Sequence, residues 1–184
     1  MHKKVLAHLD KYKVRYTHVP HKTVYTAYDL ANTLKKKLNE IAKTLVVKVD
    51  KRYVLVVLPA NVRVDLQKVK KVLKAESVHL LPEGVMEKIF KIKAGTITPF
   101  GSLHGAEVLL DKALLKTKEV IVNAGSFTDA VRMKAKDLHK LEKATLGDVR
   151  DTTIARLKKV VRKVAKKAVK KTVPKKKKVI KKKK

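Results

Sequence analysis

Ile41-Ala42-Lys43-Thr44-Leu45-Val46-Val47-Lys48-Val49 is followed, after the turn residues Asp50-Lys51-Arg52, by Tyr53-Val54-Leu55-Val56-Val57-Leu58, and this pair of runs decides the fold. Two β-rich runs around a short polar turn predict the central hairpin of a sheet. The second run is almost continuously apolar, as a strand covered on both faces must be. Lys43 is the discordant residue, because a half-buried strand has no structural use for an ammonium group. Among 47 Lys/Arg it is either one more surface lysine or, held on a rigid strand, a point charge for a phosphate.

Working outward from the hairpin, Val5, Leu6, Leu9 and Tyr12 fall at helical spacing, and Val14 to Val19 alternates like a short strand ending at Pro20. Thr26 is an N-cap for a helix through Ala27, Leu30, Ala31 and Leu34. On the other side Pro59-Ala60-Asn61 breaks the strand, and Asp65 caps a helix carrying Leu66, Val69, Val72 and Leu73. Ser77 to Leu81 reads as a strand, and Pro82 opens a helix through Val85, Met86, Ile89 and Phe90.

The loop Gly95-Thr96-Ile97-Thr98-Pro99-Phe100-Gly101 precedes strands near 106–110, 119–123 and 130–135 and a closing helical turn at 137–141. Helices and strands alternate, but the late strands follow one another closely. The expected class is therefore mixed α/β, with one curled mixed sheet and surrounding helices, rather than a doubly wound parallel sheet. Glycines in the loop free backbone N–H groups to approach a ligand, while proline fixes its shape; an ordinary turn is the competing reading. The hydroxyls of Thr96 and Thr98 serve either a ligand or the loop's own carbonyls.

The chain has 184 residues, 45% of them hydrophobic and only 4% aromatic, so its core must be built from Val, Leu, Ile and Ala. It contains no cysteine, which excludes disulfides, a thiolate nucleophile and cysteine-based zinc sites. His18 and His21 are separated by Pro20 and lack a carboxylate-rich partner, so neither a metal nor another cofactor is expected. No run approaches the roughly 18 to 20 apolar residues of a membrane span. The opening residues reach His8 and Asp10 before a secretory apolar core develops, and a cytoplasmic location is expected.

Net charge is +31, and about half of it lies in residues 151–184, which hold 17 Lys/Arg and one acid. Residues 144–152, with Gly147, read as a linker. In 153–173 the residues Ile154, Leu157, Val161, Val164 and Ala168 form one apolar stripe on a basic helix, and the Lys-rich residues 174–184 carry too little apolar area to fold. Such a segment docks on the domain, lies on anionic lipid, or tracks a nucleic-acid backbone. Contact with nucleic-acid phosphates is the favoured expectation and membrane attachment the least favoured.

The ordered series Ile41–Val47, Pro59, Asp65-Leu66, Gly95-x-x-x-Pro99-x-Gly101 and Val122-Asn123-Ala124-Gly125-Ser126, leading to Asp137-Leu138, resembles the YbaK/prolyl-tRNA-editing-domain family. The resemblance spans residues 1–143, which would form the deacylase domain. It implies hydrolysis of the ester between a mischarged amino acid and the 3′ end of a tRNA, either a proline acceptor or a related tRNA carrying a small wrong amino acid. It places Lys43 on the phosphate of the terminal adenosine. It also makes the loop of Gly95, Thr98 and Pro99 the source of groups for the aminoacyl ester.

By the same resemblance His21 and Thr26 line the aminoacyl pocket, and Thr44, Gly101, Gly125, Ser126 and Asp129 complete the substrate-binding set, Asp129 meeting the substrate's ammonium. Phe127 is a pocket wall or a core residue. A positioned water, helped by the substrate's ribose hydroxyl, would attack an oriented carbonyl, so no protein nucleophile is needed. Ser126-Phe127-Thr128 departs from relatives that place basic residues and a second glycine there. That departure sustains an alternative: a non-catalytic basic nucleic-acid-binding protein that keeps the fold.

Overall fold

A computed structural model describes residues 2–152. The hairpin expected at its centre is present: β2 (Ala42–Val49) pairs antiparallel with β3 (Arg52–Pro59), Lys43 opposite Leu58 and Thr44 opposite Val57. Val54 to Leu58 are fully buried. Each such side chain is worth about 1.5–3 kcal/mol relative to exposure, so this strand anchors the domain.

Around it lie α1 (His2–Lys11), β1 (Tyr16–Pro20), α2 (Ala27–Thr33), α3 (Leu66–Leu73), β4 (Val78–Leu80) and α4 (Glu83–Phe90). The chain continues through β5 (Glu107–Asp111), β6 (Val120–Asn123), β7 (Asp129–Met133), α5 (Ala135–Leu141) and β8 (Thr145–Gly147). Both anticipated caps form. The Thr26 hydroxyl accepts the Asp29 N–H, and the Asp65 carboxylate accepts the N–H groups of Gln67 and Lys68.

The architecture is mixed α/β, but the strands divide between two sheets instead of forming one continuous curled sheet. One has the order β1-β7-β6 and is antiparallel; the other has the order β4-β2-β3-β5-β8 and is mixed. Among the described residues a single parallel bridge, Ile41 to Ile121, links them, with the Ile121 N–H donating to the Glu40 carbonyl at 2.8 Å. Strand alternation then sorts the core. Ala42, Val46, Val57, Val122 and Val131 face a cluster with Ile97 and Phe100 beneath α1, while Ile41, Ile121 and Ala130 face Leu30 and Ala31 of α2.

The linker expected over 144–152 is corrected at its start. Thr145–Gly147 adds β8 to the five-stranded sheet, and Ala144 and Val149 are buried. Asp111, fully buried, accepts the Val149 N–H at 2.9 Å and lies 3.2 Å from the Arg150 guanidinium. A three-residue strand has too short a period to be read in a segment whose one glycine suggests a joint. The expected basic helix at 153–173 and tail at 174–184 fall outside the described residues. Among the described residues, no helix is long and apolar enough to cross a membrane.

Candidate functional site

Lys43 and Asn123 lie two residues beyond the Ile41–Ile121 bridge on their respective strands. In extended backbone, residues two apart share a face, so both side chains leave the strands on the side covered by α2. The Lys43 Nζ is 3.5 Å from the Ala60 carbonyl. Burial first, and the nearby charge of Arg63 second, hold the pKa of this half-buried ammonium below its ordinary value.

Asn123 joins the two glycine loops. Its Nδ2 donates to the Gly95 carbonyl at 3.2 Å and to the Ser126 carbonyl at 3.0 Å, and its Oδ1 accepts the Gly125 N–H at 2.5 Å. Gly95 is exposed at the tip of its loop with φ +81°, and a Cβ there would lie 2.8 Å from the Tyr25 carbonyl oxygen. Only glycine gives this close approach without strain. The Gly95 loop is thus pinned between Asn123 on one side and the entrance to α2 on the other.

The remainder of that loop turns inward, which corrects three expected substrate contacts. Thr98 is fully buried with its hydroxyl 2.8 Å from His104 Nε2, and Pro99 is buried beside it. Gly101 is buried where a Cβ would fall 2.2 Å from the Ala106 carbonyl and 2.6 Å from Val108. These residues support the loop from below. Thr44 shares the face of Val46 and Val57, opposite to Lys43. Thr96 resolves toward the internal reading, its hydroxyl donating to the Lys93 carbonyl at 2.8 Å.

His21 stays at the site's edge. Its N–H donates to the Thr128 carbonyl, while Val24 N–H donates to Phe127, so residues 21–24 run along the second loop. Nδ1 lies 2.8 Å from the Lys22 carbonyl and therefore carries the proton. Nε2 is a buried acceptor without a hydrogen-bond partner. Such an orphan is uncommon among buried polar atoms.

Thr26 spends its hydroxyl on Asp29, donating to Oδ2 at 2.7 Å while accepting the N–H. Asp129, expected near an ammonium, instead organises its own loop: Oδ2 accepts from Ser126 at 2.6 Å and Thr128 at 2.9 Å, and Oδ1 lies 2.8 Å from His18 Nε2. Phe127 packs against the exposed ring of Tyr25, with centroids 5.0 Å apart. It forms a wall at the loop surface.

This arrangement has counterparts among known proteins. The model of the aminoacyl-tRNA editing domain matches residues 21–141. The chain belongs to the aminoacyl-tRNA editing domain family. It is 28% identical over 146 residues to the prolyl-tRNA editing protein ProX of Acetoanaerobium sticklandii, covering 76% of this chain and 89% of that protein. It is 26% identical over 117 residues to a proline--tRNA ligase of Macrococcus caseolyticus, spanning 64% of this chain but only 20% of the ligase. A solved structure of a candidate trans-editing enzyme for prolyl tRNA synthetase superposes with TM-score 0.70 at 22% identity, covering 82% of this chain and 96% of that one. The hypothetical protein APE2540 superposes with TM-score 0.76 at 21% identity, covering 80% of this chain and 99% of its own.

Within this editing domain the residue missed from sequence is Asn123. An asparagine followed two residues later by glycine signals a loop, but that it reaches a second loop 28 residues away is a tertiary fact. A different cluster looks catalytic and is not. Ser102 Oγ, His8 Nε2 and Glu142 Oε1 lie within 3.0 to 3.3 Å of one another. One imidazole nitrogen faces both hydroxyl and carboxylate, whereas a nucleophile relay needs the two ring nitrogens on different partners. This triangle ties α1 to α5.

Proposed function

We propose that this protein is a freestanding aminoacyl-tRNA deacylase that hydrolyses mischarged tRNA in trans. One observation carries the reading: Asn123 fastens both glycine loops at the strand level of Lys43, so a cation and exposed loop backbone share one face. Lys43 binds the 3′-terminal phosphate of the tRNA as a point charge. A bound phosphate offsets the desolvation that depresses its pKa, so the lysine is poised for an anion.

The exposed Gly95 loop, with the partly exposed Gly125 turn beside it, receives the aminoacyl ester. Donors fixed before the reaction stabilise the oxygen that becomes negative as water adds to the carbonyl, and removing one such donor costs about 10²–10³ in rate. The protein supplies position and electrostatics; the substrate's vicinal ribose hydroxyl assists the water. A proline-accepting tRNA, or a related one, bearing a small non-cognate amino acid is the substrate proposed, and the basic residues beyond 152 add affinity for its phosphates.

The test is hydrolysis of a panel of tRNAs charged with alanine, cysteine, serine or threonine, measured as loss of esterified label. Turnover of at least one member is expected, with little on cognate prolyl-tRNA. Tight binding without turnover on every member would assign the fold to a non-catalytic RNA-binding role.

A further inference from the structure

A second basic feature lies on the same face of the sheets as Lys43 and Asn123. A groove of about 480 Å³ is lined by Lys36, Lys37, Lys116, Lys118 and Arg132, with Glu40, Glu119 and Ile121. Ile121 and Glu40 form the junction between the sheets, and Asn123 is two residues farther along β6, on the order of 7 Å at strand rise. The groove therefore borders the candidate site along β6, with the buried Ile41–Ile121 bridge between them.

Its charge is biased and its acids are occupied. Five cations face two carboxylates. Glu40 accepts the Lys37 N–H at 2.9 Å, and Glu119 lies 3.7 Å from Arg132 Nε. Lys36, Lys37, Lys116 and Lys118 are exposed, and their ammonium groups are supplied by two separate loops, 35–40 and 116–119. Arg132 has a buried Nε that makes no hydrogen bond, while Nη2 donates weakly to Thr17 at 3.4 Å. The buried Nε and the Glu119 carboxylate hold the guanidinium at the groove wall, where it adds positive charge to that of the four exposed lysines.

We propose that this groove is the track for the RNA backbone behind the reacting 3′ end, holding acceptor-stem phosphates while the terminus reaches Lys43. The inference rests on the deacylase reading for the direction of the strand, but the groove's affinity for an RNA backbone stands independently of turnover. Cations on two loops, a concave floor and a place beside the site along β6 suit a polyanionic strand better than a small anion, which would need only one of these sides. Contacts of this kind set affinity and register without reading sequence.

The test uses the full chain and the double charge reversals Lys36→Glu/Lys37→Glu and Lys116→Glu/Lys118→Glu. With mischarged tRNA, each is expected to raise KM at least tenfold with kcat within twofold of wild type. With an aminoacylated CCA trinucleotide, which lacks a stem, both are expected to match wild type. The slope of log affinity for uncharged tRNA against log salt is expected to fall by about one for each phosphate that the variant no longer neutralises. Unchanged KM and salt slope in both variants would overturn the groove assignment, as would equal losses on tRNA and trinucleotide. If wild type turns over no substrate, the deacylase reading fails, while the salt slope of uncharged tRNA still decides the groove.

Discussion

Lys43 on β2 and Asn123 on β6 occupy equivalent positions two residues past the Ile41–Ile121 bridge, on the face that α2 covers. The bridge is the only place where the two sheets are in ladder register among the described residues, so it fixes the lateral alignment of cation and clamp. Asn123 then carries that alignment into both glycine loops. The site is thus built at the seam between sheets, where two strands approach from different halves of the chain.

Lys43→Met is expected to abolish deacylation without weakening the fold. Because burial lowers the lysine's pKa, its ammonium is a cost to the folded state at neutral pH, fully present below the folded pKa and relieved as pH rises toward about 10.5. Removing the charge while keeping the chain's length removes that cost. Thermal denaturation at pH 7 is expected to give a Tm equal to or above wild type, with turnover reduced at least a hundredfold. A Tm several degrees lower would mean that the ammonium supports the fold.

Asn123→Ala is expected to reduce kcat by about 10²-fold, since three backbone groups in two loops lose their shared partner. Asn123→Asp retains the acceptor for the Gly125 N–H but sets a carboxylate oxygen against the Gly95 and Ser126 carbonyls, and its single-turnover rate should fall at least as far as that of alanine. Equal rates for all three proteins would show that the loops hold their shape without the clamp.

The hairpin, both helix caps and the order of every longer element were legible because each rests on a local rule: β-branched runs, an Asp or Thr before a helix, apolar spacing. Lys43 was legible as a residue out of place. What was not legible depends on side-chain direction. Thr98 and Gly101 belong to the same short motif as Gly95, yet the chain turns inward between them, and no local pattern separates the loop's exposed tip from its buried support. Asp129 similarly offered a carboxylate of the right charge, but Ser126 and Thr128, within three residues of it, claim one oxygen and His18 approaches the other.

Gly101→Ala and Gly95→Ala are expected to fail differently. At Gly101 the new methyl would meet backbone of Ala106 at 2.2 Å, and overpacking against a strand entrance should destabilise by about 3 kcal/mol or more. At Gly95 the residue is exposed, and the change acts through a strained φ and the Tyr25 carbonyl. Urea denaturation should show a larger loss for Gly101→Ala than for Gly95→Ala, whose strain is about 1–3 kcal/mol, with activity lost in both. A stable, inactive Gly101→Ala would return that glycine to the ligand side of the loop.

Acid should weaken the fold through His104. Burial lowers its pKa, so between its folded value and the ordinary imidazole value of about 6.5 the unfolded chain binds a proton that the folded one does not. Stability therefore declines as pH falls through that window and is full above it. His104→Gln should flatten the decline between pH 7 and 5, measured by urea midpoint. A variant as acid-sensitive as wild type would place the responsible group elsewhere.

Shortening the chain from its C-terminal end separates the body's true limit from the apparent joint at 144. A protein ending at residue 143 lacks β8, leaves buried Asp111 without the Val149 N–H and the Arg150 guanidinium, and removes the carbonyls of Gly147, Val149 and Arg150 that accept from Lys112, Asp65 and Lys68. A buried carboxylate left with only the Ala113 N–H, its cationic partner removed, costs several kcal/mol, a large share of a small domain's total stability. The protein ending at 143 is expected to be insoluble or molten, whereas one ending at 152 should unfold cooperatively and retain turnover of aminoacylated CCA. Cooperative unfolding at the same urea midpoint in both would show that residues 144–150 add nothing to the body, and the last strand would then be an ornament on a sheet that is complete at β5.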